Sequence, residues 1–268
     1  MRRKAAVAGY FYPARAGELR RMLTQMVLPK EKKETAKAVM SPHAGFIYSG
    51  SVAGAVYSSV KITDTVVLLA PSHRPIRPTF ALMTEGDWET PLGTLSVAGD
   101  LAGLIMEFSK YVRDDPSAHL QEHSLEVQLP FLQYFKPEFS IVPISISYLA
   151  SYDELENLGG AIARAIRELD KDTLIVASTD MSHYISAEEA REKDFLAIQK
   201  ILDLDPRGLF DVVKREDISM CGFQPTAAAL VAANDLGAGK AELIKYATSG
   251  DQTGDYREVV GYAGIRIR

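Results

Sequence analysis

The chain reads as an α/β protein: a single three-layer α/β/α domain over residues 1–268, built on a mixed and largely buried central sheet. Three observations lead there. Strand-like and helix-like segments alternate through most of the chain, the pattern of helices covering a sheet. Residues 65–70 form a continuous apolar run without polar alternation, as expected of a strand covered on both faces. At 47% hydrophobic and 24% charged, the 268 residues suffice for one large core, and no repeat, low-complexity stretch or Pro/Gly/Ser linker divides them.

Taken in order, Leu19, Met22, Leu23 and Met26 recur at helical spacing over 17–27, and a strand is expected near 36–40. Small apolar residues over 49–60 (Val52, Ala53, Ala55, Val56) predict a helix. Strands at 79–83 and 94–98 flank a turn-rich loop holding Trp88 and Pro91-Leu92-Gly93, and a helix follows over 100–108. A helix over 122–129 should be kinked or ended by Pro130. Pro143 inside the strand at 139–147 suggests an edge position or a bulge. Ser151 and Glu154 form a capping box before a helix to about residue 169. A buried strand is expected at 173–177. Ser186 with Glu189 is a second capping box, and Asp205-Pro206 places proline at the first position of a helix. An Ala-rich helix over 224–236 precedes closing strands at 242–247 and 259–267.

Net charge is −5 with no basic cluster, which argues against a nucleic-acid partner; the mixed-sign run 30–34 reads as a solvated connector. No apolar stretch approaches the roughly 20 residues of a membrane span. The basic N-terminus leads into no secretory apolar segment, so a cytoplasmic location is expected. The single Cys221 excludes an intrachain disulfide.

Chemistry concentrates just past strand ends. Three of the five histidines, His43, His73 and His183, follow apolar runs that lead into small or turn-forming residues. Ligands of open α/β sheets gather outside the carboxyl ends of strands, so three imidazoles there would build a metal or proton-transfer site. Pro42 and Gly45 bracket His43, and Pro71 and Pro75 bracket His73, a rigid presentation that suits a metal ligand. Asp180 precedes His183 by three residues; on a helical turn the carboxylate would face and orient the imidazole, giving a catalytic acid–base pair. Glu122 and His123 lie either at the pocket edge or at a helix cap, and His119 reads as surface. Cys221 stands just before a helix, where the dipole would lower its pKa and make it a thiolate ligand or nucleophile; a buried inert thiol is the alternative. Tyr48, Trp88 and Tyr184 are candidate pocket walls.

Several segments, in order, carry a resemblance: Ala8-Gly9-Tyr10-Phe11-Tyr12, Pro42-His43-Ala44-Gly45, Pro71-Ser72-His73, Glu122-His123-Ser124 through Leu129-Pro130, Ser178-Thr179-Asp180-Met181-Ser182-His183, Cys221-Gly222 and Tyr246-Ala247-Thr248-Ser249. Together they resemble the Memo family, similar in structure to class III extradiol (LigB-like) dioxygenases, which use non-haem Fe(II). The resemblance implies His43 and His73 as metal ligands, Cys221 as the third, His183 at the catalytic-base position and Asp180 as the pocket aspartate. Some relatives carry a histidine where this chain has Val7. The function so implied is a metal-dependent redox enzyme acting on a small or aromatic substrate, with Fe(II) as first choice of ion and Cu or Zn behind it. Two other readings stand beside it: a non-catalytic protein that binds a peptide, and a metal-free hydrolase or transferase using Cys221 and His183. In bacteria and archaea the resemblance also implies a radical-enzyme partner in the same pathway.

Overall fold

The computed structural model describes residues 1–28 and 33–268; of the expected connector, 30–32 lie outside the described residues. Strand β1 (Arg2–Arg3) and helix α1 (Ala16–Met26) come first, then β2 (Ala38–Ser41), α2 (Phe46–Ser59) and β3 (Thr65–Pro71). Next are β4 (Phe80–Leu82), β5 (Asp87–Thr90), β6 (Gly93–Val97), α3 (Gly99–Phe108), β7 (Val112–Asp114), α4 (Leu129–Phe135) and β8 (Ser140–Ile146). The second half holds α5 (Tyr152–Leu169), β9 (Thr173–Ser178), β10 (His183–Ile185), α6 (Ala187–Leu202), α7 (Pro206–Arg215) and α8 (Phe223–Asp235). It closes with β11 (Ala241–Thr248), α9 (Gly250–Thr253) and β12 (Val259–Ile267).

Local signals set the helix starts. Glu154 accepts the N–H of Ser151 at 2.9 Å ahead of α5, Ser186 accepts that of Glu189 at 3.2 Å in α6, and Asp205 accepts that of Gly208 at 2.7 Å beside Pro206 in α7. Pro130 behaves differently from expectation. Residues 126–128 form a 3-10 turn, and Pro130 lies in the first turn of α4, where its missing N–H costs nothing. It starts a helix rather than ending one.

The sheet is three-layered because its strands alternate in what they bury. Val66, Leu68 and Ala70 of β3, Leu174 and Val176 of β9, and Val39 of β2 pack against α1, α2 and α4. Val67 and Leu69, Ile175 and Ala177, and Ala38 and Met40 pack on the other face against α3, α5, α7 and α8. The pairing is mixed: β2, β9, β3 and β8 run parallel, while β12 joins β2, and β5 joins β6, antiparallel. Pro143 is neither at an edge nor in a bulge. It pairs with Leu68 of β3 on one side, and on the other the neighbour changes from β6, ending at Ile141, to β4, beginning at Ile144. The missing N–H thus falls at a break in the ladder. Trp88 lies in β5 rather than in a loop, paired with Leu95.

The parallel register aligns the strand ends. Ser41 pairs with Ser178 and Leu69 with Ala177, so the chain leaves β2, β3 and β9 at one edge, carrying His43, His73 and the 180–183 segment with it.

A buried ion pair ties the N-terminal segment to this edge. Arg3 meets Glu126 at 2.6 Å with both side chains at or below 1% exposure. Arg3 also donates to the carbonyls of His119 and Glu122, each at 2.7 Å, and lies 4.1 Å over the Trp88 ring. Glu126 further accepts from the amides of Ala6 and Val7 and from the Tyr12 hydroxyl. Losing one partner strands the other charge, so Glu126→Ala is expected to cost about 3–5 kcal/mol in urea unfolding. A loss below about 1 kcal/mol, the range of an exposed pair, would show that the network does not pin the segment.

Candidate metal centre and its cavity

Each imidazole at the sheet edge is held by its own partner. His43 is buried, and its Nδ1 lies 3.0 Å from Ser178 Oγ. That hydroxyl donates its one proton to the Ser124 carbonyl at 2.6 Å, so it accepts from His43 and from Gln128 Nε2. His43 therefore carries its proton on Nδ1 and leaves Nε2 unprotonated. The Asp180 carboxylate accepts the backbone N–H groups of His43 (2.8 Å) and Ala44 (3.3 Å).

His73 is oriented by Glu122, whose carboxylate accepts its backbone N–H at 2.8 Å and faces its Nδ1 at 2.9 Å. Burial opposes charge on Glu122, but the His73 hydrogen bond and charge, with the Ser124 amide, outweigh it and hold the carboxyl well below its usual range. A carboxylate-held imidazole has its other nitrogen aimed outward as a ligand. The Glu122 carboxylate also lies 3.3 Å from Nδ1 of His123, whose ring packs 4.5 Å from His73 and 4.7 Å from Phe11. Burial, partly opposed by Glu122, lowers the His123 pKa to about 4, and burial together with the neighbouring imidazoles holds His43 well below its ordinary value. One ring nitrogen from each of His43, His73 and His123 lies within 4.8 Å of the others.

Cys221 stands outside that trio but beside it, its Sγ 3.3 Å from His43 Nε2 and accepting the Asp180 N–H at 3.2 Å. The expected lowering of its pKa is absent. The thiol precedes the Gly222 cap of α8, and burial, reinforced by the Asp180 charge, pushes it up. Gly222 is required by close approach: a Cβ there would lie 2.5 Å from Thr179 Cβ and 2.6 Å from the Ser178 carbonyl.

Asp180 and His183 do not share a helical turn, since β10 begins at His183 and Asp180 faces the His43 backbone. His183 is positioned instead by Ser219, whose carbonyl accepts from its Nδ1 at 2.9 Å and whose hydroxyl accepts its N–H at 2.8 Å. That leaves the His183 Nε2 lone pair available. Burial raises the Asp180 pKa to about 6 despite the opposing amides and the His183 charge.

These groups open into a cavity of about 840 Å³ whose wall includes Tyr48, Tyr184, Phe11 and Tyr262. Trp88 is not part of it: the indole is fully buried under Arg3, 5.6 Å from His119. His119 is likewise fully buried rather than at the surface, its Nδ1 3.3 Å from Ser145 Oγ.

The chain is similar in sequence to known proteins over nearly its whole length. The chain belongs to the Memo family: the family model described as Memo-like protein matches residues 3–266. A MEMO1 family protein of Methanopyrus kandleri is 42% identical over 282 residues, covering 100% of this chain and 99% of that protein. Another from Pyrobaculum arsenaticum is 43% identical, covering 98% of each chain, and one from Aquifex aeolicus is 41% identical over 98% of each. A crystal structure of an uncharacterized protein from Escherichia coli K12 aligns with a TM-score of 0.46 at 14% identity, covering 84% of this chain and 98% of that one. No helix among the described residues is long and apolar enough to cross a membrane.

Burial, with the Arg3 charge, holds His119 neutral, its pKa lowered from 6.5 to about 4. The unfolded chain takes up that proton first, so this residue removes stability as pH falls from 6.5 towards 4. A His119→Phe variant should therefore gain on the wild type by about 3 kcal/mol across that window, at about 1.4 kcal/mol per pH unit. Parallel unfolding curves at pH 7 and pH 4 with no change in the difference would contradict the assignment.

Proposed function

We propose that this protein is a metal-dependent enzyme, redox in character, acting on a small aromatic substrate in the cavity. The observation that carries the reading is the imidazole cluster: three ring nitrogens within 4.8 Å of one another, from residues that line an open cavity. The donors fit the proposed group. Imidazoles suit Fe(II), Zn or Cu, whereas Mg or Ca would call for a shell of oxygens. Fe(II) is the first choice because it adds redox chemistry and Lewis acidity to an otherwise acid–base site.

In this reading His43 and His73 hold the ion, their orientation fixed by Ser178 and Glu122. The third donor distinguishes two arrangements: His123 as the side chains stand, and Cys221 as the family resemblance implies. His183, held by Ser219, takes or gives a proton through Nε2 at the cavity wall. Asp180 keeps the 43–44 backbone in place, and Tyr48 and Tyr184 flank the substrate. The metal-free hydrolase reading is disfavoured because burial and the Asp180 charge push the Cys221 thiol up, away from the thiolate a nucleophile needs.

Protein prepared without oxygen should take up close to one Fe(II) per chain. His43→Ala and His73→Ala should abolish uptake, and Glu122→Ala should weaken it by about 10–100-fold. Whichever of His123→Ala and Cys221→Ser abolishes uptake identifies the third donor. No uptake by the wild type, or uptake untouched by His43→Ala, would overturn the proposal and favour a peptide-binding role.

A further inference from the structure

The charged groups of the cavity wall are of one sign. Among the described residues lining it there is no lysine or arginine, and apart from imidazoles its ionisable groups are tyrosines and the carboxylates of Asp180, Asp255 and Glu258. The three carboxylates are not equivalent. Asp255 forks onto Arg257 at 3.0 and 2.7 Å, which matches its charge at the rim. Glu258 is exposed and has no side-chain hydrogen bond or ion pair among the described residues. Asp180 is only 4% exposed; its Oδ1 takes both backbone amides, and its Oδ2 has no hydrogen-bond partner among the described residues. Asp180 lines the cavity, so a ligand there can bring that oxygen a donor.

The apolar part of the wall is aromatic. Tyr48, Tyr184 and Tyr262 line it together with Phe11. Tyr184 is held at φ 59°, a left-handed conformation unusual for a bulky residue, with 75% of its surface exposed. Ring faces attract both flat aromatic groups and cations.

We propose that the cavity selects an amine-bearing phenolic molecule, its ammonium at Glu258 among the tyrosine faces and its hydroxyl donating to Asp180 Oδ2. This rests on reading the cavity as the substrate site, but not on the ion. An anion of the same shape would meet the carboxylates with no lysine or arginine among the lining residues to offset them, and that repulsion provides the selectivity.

Three probes share one phenol ring and a two-carbon linker and differ in the terminal group: tyramine carries an ammonium, 4-ethylphenol none, and 3-(4-hydroxyphenyl)propanoate a carboxylate. Each is titrated calorimetrically into the metal-free full chain. Tyramine should bind about fivefold tighter than 4-ethylphenol, the scale of one partly solvated ion pair, and the propanoate more weakly than either. Glu258→Gln should remove most of the tyramine advantage while leaving 4-ethylphenol unchanged, and Glu258→Lys should draw in the propanoate. Equal binding of tyramine and propanoate, a tyramine preference untouched by Glu258→Gln, or no binding of any probe would overturn the proposal. Because no metal is present, this failure is distinct from a failure of Fe(II) uptake.

Discussion

Ser41 lies opposite Ser178, and Leu69 opposite Ala177, in parallel strands that run the same way through the core. That register is the constraint behind the site. A parallel sheet sends all its carboxyl ends to one edge, and the chain must turn there to enter the covering layers. His43, His73 and Asp180 are the first ionisable residues after those ends, so a fold held together by apolar alternation also assembles the imidazoles. The same alternation closes both faces of the sheet, leaving this edge as the place where polar side chains can face a cavity without sacrificing core.

Holding the imidazoles requires a second tier of buried polar groups, each satisfied. Ser178 serves His43, Gln128 and the Ser124 carbonyl at once. Glu122 serves His73 and Ser124. The backbone of the Glu122 segment is in turn held by Arg3, and Arg3 by Glu126. A polar network of this kind stabilises geometry when complete and destabilises the fold when one member is lost. It extends from the second strand residue of the chain to the ligand loop, so the N-terminal segment is part of the site's support although Phe11 alone of its residues reaches the cavity.

The fold class and the strand-end histidines were legible in the sequence because both follow from local patterns: apolar runs, capping residues, and prolines beside His43 and His73. Contacts between distant segments left no such trace. Nothing local marks Ser219 as the partner of His183, or turns Asp180 towards His43 rather than towards the histidine three residues on. Trp88 and His119 looked like pocket and surface residues because their covering partner, Arg3, is more than eighty residues away in the chain. Pro130 and Pro143 depart from the sequence expectation for a related reason. Proline signals a missing N–H, but only the assembled structure shows whether that N–H would have had a partner. His123 reads as a cap or an edge residue in sequence; its place beside His43 and His73 depends on Glu122 reaching across to β3.

The proposed ion is held by two imidazoles delivered by the ends of β2 and β3, the parallel strands on either side of β9. X-ray absorption on the Zn(II)-loaded protein tests this arrangement most directly, with Zn(II) as a redox-silent probe. The account predicts imidazole nitrogens at about 2.0–2.1 Å with scattering from at least two rings, and a sulfur at about 2.3 Å only if Cys221 is the third donor. A shell of oxygens alone, or a spectrum unchanged when both His43 and His73 are replaced by alanine, would contradict it.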